Sequence, residues 1–274
     1  MKTIIVATDF SREAQNATSY IMPLAKSRQC RVVLFTLKNV SVHALNARVP
    51  GFSIDSIMLK EKQKLVHEAR QLQRAANVEI IPYFTSGIFY EELQKCIEDY
   101  NAIFVVMGMA EKSVEQDLLG NTTTAAINKL KVPVLAVPLN AKFNDIRKIL
   151  FACDIARGID QKIFEEVKLV AHKIGAEVEI FHVKNQVSQV LKEKLTELEK
   201  LKQDYSKIQI SYKDVISGEV VESIKKELDT IHADLLIMVP YRYGFWSSLV
   251  HRSKTRMMAY GINIPLLSIP VGQN

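Results

Sequence analysis

Two short stretches of the chain carry residue types that bind sugars and anions. The first is Thr8-Asp9-Phe10-Ser11, directly after an apolar run. An aspartate in that place either bonds a ribose or adenine group or serves as a second cap for the helix that follows. Ser11 is the expected N-cap, with Glu13 in the first turn, where a negative charge suits the helix dipole. The second stretch begins Gly108-Met109-Ala110-Glu111 and resumes at Leu118-Leu119-Gly120-Asn121-Thr122-Thr123-Thr124, which opens a helix. Glycine lets backbone approach phosphate closely, and hydroxyls with unpaired N–H groups at a helix start hold the anion there. A plain N-cap explains the same residues.

Other chemistries have little support. The chain has no GxxxxGK followed by Ser or Thr, no nucleophile elbow, and no paired carboxylates at a catalytic spacing. It has no HExxH and no Cys/His cluster, so no metal site is expected. Cys30, Cys96 and Cys153 form no CxxC pair, and their odd number suits reduced thiols serving as small core residues. A non-enzymatic protein is the expectation.

These residues need strands and helices to position them. The apolar, β-branched runs KTIIVATD, RVVLFTLK, VEIIPYFT, AIFVVMG and VPVLAVP read as strands buried on both faces. Between them lie helical spacings, such as Ala14, Ala17, Ile21 and Leu24, or Leu93, Cys96 or Ile97, and Tyr100. Alternating strand and helix predicts an α/β fold with an open, doubly wound parallel sheet. Ligands in such a sheet bind beyond the carboxyl ends of the strands where the strand order reverses, which is where both stretches fall.

The second half repeats this order. RKILFACD leads to a helix with Ile163, Val167, Val170 and Ile174, then to AEVEIFHVK, and finally to IPLLSIP. Asp9 and Asp154 lie 145 residues apart, and Phe35 of FTLKN and Phe181 of FHVKN lie 146 apart. Ser86-Gly87 and Ser217-Gly218, like Ala102 and Ala233, lie 131 apart, and Pro133 and Pro265 lie 132 apart. Matches in one order across both halves predict a duplication, with an insertion near residues 39 to 57 of the first half. Two consecutive domains follow, 1–140 and 144–274, arranged as a pseudo-twofold tandem. Prolines bracket each final strand, Pro133 and Pro138 in one half, Pro265 and Pro270 in the other. These should be edge strands or strand ends.

Composition is that of an ordinary globular protein, with 48% hydrophobic and 24% charged residues. No run reaches the roughly 18 apolar residues of a membrane span, and the start lacks a signal peptide's cleavage pattern, so the expectation is a cytoplasmic protein with no membrane partner. A net charge of +6 permits polyanion binding, yet the cations sit among glutamates, as in KEKLTELEKLKQDY, and no nucleic-acid partner is expected.

VATDFS after strand one, SG before the third helix, VVMG ending strand four, LLGNTT opening the next helix and KVPVLAVP closing the domain, in that order, resemble the universal stress protein family. The resemblance implies five-stranded parallel domains of order 3-2-1-4-5, Rossmann-like, and a stress-response role. It also implies an adenine nucleotide as ligand, ATP above all, since ATP-binding members carry a Gly-x2-Gly-x9-Gly-Ser/Thr loop. Carried over by residue, it gives a first-half site of Thr8 and Asp9, Leu37 through its backbone to adenine, Gly108 and Met109, then Gly120, Asn121, Thr122 and Thr123.

Glu111 stands where that loop's second glycine belongs, the spacer to Gly120 is one residue short, and Asn121 replaces the hydroxyl. The second half keeps Asp154 but has Val239, Arg242 and Arg252 at the glycine positions, with the aromatic run YRYGFW at 241–246 beside them. The alternative reading is therefore an interaction module with both nucleotide sites lost, meeting an unidentified protein partner through YRYGFW and the 39–57 insertion. If such domains pair through their last strands, duplication supplies that pairing within one chain, giving a monomer or a dimer of tandems.

Overall fold

The computed structural model of the chain describes residues 1–39, 51–109, 120–153, 161–184, 209–217, 219–240 and 262–270. It divides into two compact units, 1–110 with 132–143, and 111–131 with 144–274.

The first unit holds five parallel strands, β1 (Thr3–Ala7), β2 (Arg31–Leu37), β3 (Ile80–Thr85), β4 (Ala102–Met109) and β5 (Val134–Pro138), in the order β3-β2-β1-β4-β5. Its helices are α1 (Arg12–Ser27), α2 (Gly51–Ala76) and α3 (Phe89–Tyr100). The second unit holds β6 (Lys148–Ala152), β7 (Glu177–Lys184), β8 (Ile210–Ile216), β9 (Leu235–Met238) and β10 (Leu266–Ser268), in the order β8-β7-β6-β9-β10. With these go α4 (Gly120–Lys129), α5 (Gln161–Ile174) and α6 (Val220–Ile231). Counted from its own first strand, each unit has the order 3-2-1-4-5, and every described pairing within a unit is parallel.

Ile4, Ile5, Val6, Val32 to Phe35, Val105 and Val106 are buried, the condition that makes parallel strands read as apolar runs. β3 departs from the expectation of a strand buried on both faces. Only Ile80 is buried, because β3 is the outer strand of its unit. That place also explains a proline within a strand. The carbonyls of Glu79 and Thr85 accept from β2, so the intervening Pro82 turns its missing N–H away from the ladder. Pro138 ends β5, and Pro265 immediately precedes β10, so these prolines sit at strand ends as the sequence predicts.

α1 starts at Ser11, whose side chain accepts from Ala14 N at 3.2 Å, and buries Ala14, Ala17, Tyr20, Ile21 and Ala25 against β4 and β5. The fit is close. A Cβ on Gly108 of β4 would lie 2.5 Å from the Glu13 carbonyl carbon and 2.8 Å from Ala14 N. Asn16 Nδ2 donates to the carbonyls of Pro138 and Ala141, and Tyr20 meets the Phe143 ring edge-on, which fastens the chain after β5 to the same helix. Of the expected insertion, residues 51–57 form the start of α2, while 40–50 lie outside the described residues.

The two units share backbone hydrogen bonds at corresponding places. Arg31 N to Lys2 O returns as Glu177 N to Arg147 O, and Cys30 N to Ala25 O as Ala176 N to Ala171 O. Thr8 N to Phe35 O returns as Cys153 N to Phe181 O, and Val105 N to Pro133 O as Leu236 N to Pro265 O. Helix ends match as well: left-handed residues close α3 and α6 at Asn101 (φ 47°) and His232 (φ 53°), and stand just beyond α1 and α5 at Gln29 (φ 50°) and Gly175 (φ 75°).

Two predictions follow from this geometry. Gly175 has open space where a Cβ would go, so its left-handed backbone is the whole reason for glycine there. Gln29→Gly should stabilise the chain by about 0.5–1 kcal/mol and Gly175→Gln should cost a similar amount, read by denaturant unfolding. Gly108→Ala should cost about 1–3 kcal/mol without any ligand, because the new methyl meets backbone rather than a movable side chain.

Candidate functional site

In the first unit the strand order turns at β1, with β2 on one side and β4 on the other. The register Ala7↔Phe35 and Val6↔Val106 brings Thr8 and Asp9, Leu37, and Gly108 with Met109 to the carboxyl ends of three adjacent strands. That is the crevice where open α/β sheets bind ligands.

The five residues differ in what they offer. Thr8 is buried and committed to the loop. Its N–H donates to Phe35 O at 2.8 Å, its carbonyl accepts from Thr36 Oγ1 at 3.0 Å, and its hydroxyl accepts from Phe10 N at 3.1 Å. Asp9 is exposed, and its Oδ1 accepts from Ser11 N at 2.9 Å, so the carboxylate holds the turn into α1 while facing solvent. Both sequence readings of Asp9 are thus compatible in one side chain.

Leu37 is half-buried, and its place follows from strand parity. Arg31 and Phe35 turn their backbone groups toward β1, whereas Val32 and Lys38 bond to β3. Leu37 has the parity of Phe35, and β1 ends at Ala7, so the Leu37 backbone turns toward the Asp9–Phe10 loop instead of a strand. Gly108 is required by the first turn of α1, whatever it does for a ligand. Met109 is buried beside Pro138.

Gly120, Asn121, Thr122 and Thr123 form the first turn of α4, which belongs to the second unit. Thr122 is exposed and Thr123 buried, and no acidic residue stands in that turn. Glu111 and the rest of 110–119 lie outside the described residues, as do Asp154, Arg242, Arg252 and the YRYGFW run.

Phe10 escaped the sequence reading. It takes a left-handed backbone (φ 65°), which a bulky side chain rarely adopts, in the middle of the candidate loop. Three contacts hold it there: the bond to Thr8 Oγ1, a donation from Gln15 Nε2 to its carbonyl at 3.2 Å, and Lys64 Nζ of α2 standing 3.9 Å over its ring. Strain of this kind is concentrated at functional sites. The only hint in the sequence is that Phe10 separates two capping residues.

In the second unit the same strand ends are tied differently. Where Thr36 donates to Thr8 O, the buried His182 donates from Nδ1 to Cys153 O at 3.0 Å. A carbonyl only accepts, so this bond places the proton on Nδ1. All three cysteines are buried and none is disulfide-bonded, and burial pushes the Cys96 thiol up to about 12. Among the described residues no group of three His, Cys, Asp or Glu side chains is placed to hold a metal ion. No described helix is long and apolar enough to cross a membrane.

The universal stress protein family model matches residues 1–138. No curated protein matches the chain. Among solved structures, a universal stress protein from Archaeoglobus fulgidus DSM 4304 superposes with a TM-score of 0.74 at 19% identity, covering 98% of this chain and 96% of its own. A functionally unknown protein from Pseudomonas aeruginosa PAO1 reaches a TM-score of 0.61 at 12% identity, with 98% and 92% covered. At such identities the structural likeness is one of fold. The family model spans half of the chain, over the whole first strand set, and on that match the chain belongs to the universal stress protein family.

Proposed function

We propose that the chain is a non-enzymatic stress-response protein whose first unit binds an adenine nucleotide, ATP foremost, at the carboxyl ends of β1, β2 and β4. The observation that carries this reading is the pairing of an exposed Asp9 carboxylate with the Leu37 backbone, turned toward the same loop where β1 has ended. A carboxylate recognises ribose hydroxyls or the adenine amino group, and a backbone N–H and C=O together match the edge of adenine. Family membership supports the nucleotide class, since ATP-binding relatives carry the loop pattern that Gly108 and Gly120 partly retain. Occupancy would then alter the protein's shape or its partners. The absence of a sequence motif for phosphoryl transfer supports binding without turnover.

A second reading draws on the sequence, where Glu111 stands at the position of the loop's second glycine and the spacer to Gly120 is one residue short; a carboxylate beside a triphosphate is unfavourable. In that reading the nucleotide site is lost and the protein acts as an interaction module.

A thermal-shift titration with ATP, AMP and GTP, with and without magnesium, separates the two. Nucleotide binding stabilises the folded chain by about 2.7 kcal/mol at a hundredfold excess over Kd, so ATP should raise Tm in a concentration-dependent way. Asp9→Ala and Gly120→Arg should each abolish most of that rise, and GTP should give less of it. No rise at millimolar ATP would sink the nucleotide reading and leave the interaction module.

A further inference from the structure

The two units share one strand order, so residues at matching places on their strands and helices can be compared. On β2, Val33 is fully buried beside Ile5, and on α3, five residues before the left-handed Asn101, stands the fully buried Cys96. Tyr83 of β3, opposite Phe35, lies near this thiol. The counterparts in the second unit are Glu179 of β7 beside Leu150, Glu227 of α6 five residues before the left-handed His232, and Lys213 of β8 opposite Phe181. Two carboxyl groups and an ammonium thus replace a valine, a cysteine and a tyrosine at one packing point of the same fold.

Stability does not account for that exchange. Burying charges costs desolvation, and apolar replacements of similar volume are commonly neutral or better. The first unit shows that the fold closes here without charge.

The geometry shows what the three groups do together. Lys213 Nζ pairs with Glu227 Oε2, and Ser211 Oγ donates to Glu179 Oε2 at 3.5 Å. Oε1 of Glu227 and Oε1 of Glu179 are both buried without a donor when the carboxyls are ionised. Glu227 stands close enough to Glu179 for its charge to raise that carboxyl, and a proton on Glu179 would give the buried oxygens a donor. Lys213 Nζ already stands on Glu227 Oε2, which leaves Glu179, the carboxyl that burial raises, as the place for the proton.

We propose that the second unit carries a proton-binding site built from Glu179, Glu227 and Lys213, filled under acidic conditions, whose emptying loosens the junction of β7, β8 and α6. The surrounding groups fit this role. Among the described side chains, β6 offers the uncharged Leu150, β8 brings Lys213 and Ser211, and α6 adds Glu222, whose Oε2 is also buried. α5, packed on β7, carries the buried Lys168, which is paired to Glu165 of its own helix. On β7 itself, His182 is occupied with Cys153 O.

Burial raises the Glu179 carboxyl above the ordinary glutamate range, the neighbouring Glu227 raises it further, and Lys213 draws it partly back. A carboxyl raised in the folded state contributes stability that is fully present below the unfolded value of about 4.3 and is lost as pH rises through the folded value. The stabilising state is the protonated one.

The test uses the full chain and follows Tm from about pH 4 to about pH 8 in the wild type, Glu179→Gln and Lys213→Met. Glutamine keeps an N–H donor for Glu227 Oε1 and never ionises, so wild type should lose about 2–4 °C or more relative to this variant as pH rises. Lys213→Met removes the charge that draws the proton off, so it should move the wild-type transition to higher pH. Infrared spectra give a readout independent of stability: a protonated-carboxyl band should persist above the glutamate range in wild type and vanish in Glu179→Gln. Parallel pH profiles for wild type and Glu179→Gln, or the absence of that band, would overturn the proposal.

Discussion

The inner strands of both units are placed by one constraint: a parallel strand covered on both faces must give all its backbone N–H and C=O groups to its neighbours. Water is not there to take them. The bonds that begin and end each ladder therefore recur with their spacing intact, Arg31 N to Lys2 O against Glu177 N to Arg147 O at one end, Thr8 N to Phe35 O against Cys153 N to Phe181 O at the other. Side chains have diverged around them, since the ladder constrains the backbone alone. The candidate site exists because the same constraint stops where the strands stop: once β1 ends at Ala7, the next inward-turned backbone on β2, Leu37, needs a partner that is not a strand.

This divides what the sequence made legible from what it did not. Strand positions and the order of elements are legible because burial on two faces writes itself as apolar runs such as VVLF and FVVM. Ser11 as N-cap was readable for a local reason, one side chain answering one N–H three residues on. The outer position of β3 was harder, since IIPYF is nearly as apolar as a central strand, and only Pro82 marks the edge. Residues 51–57, the end of the expected insertion, form the first turns of α2.

The site was legible by residue type and obscure by geometry. Asp9 and Gly108 could be named from their places after strands, but the sequence could not show that Gly108 is demanded by the backbone of Glu13 and Ala14 across the sheet. Contacts between residues nearly a hundred positions apart leave no local mark. Phe10 was missed for a related reason. Its left-handed backbone is held by Gln15 and by Lys64 from a helix far along the chain, and no propensity would place phenylalanine there.

Two units of one strand order ease the reading of a buried polar group, because the first carries an apolar version of the same packing point. Thr36 and His182 show a mild form: each donates to the carbonyl just past the first strand of its unit, one through a hydroxyl and the other through a ring nitrogen. Both satisfy the same orphan acceptor, so that difference needs no function to explain it. Val33 and Cys96 against Glu179 and Glu227 are another matter. The second pair leaves two buried carboxylate oxygens without a donor, which a shared proton would supply. The fold tolerates both solutions, so the charged one was not imposed by the sheet, and its consequence, a packing point whose strength depends on proton supply, belongs to the second unit alone.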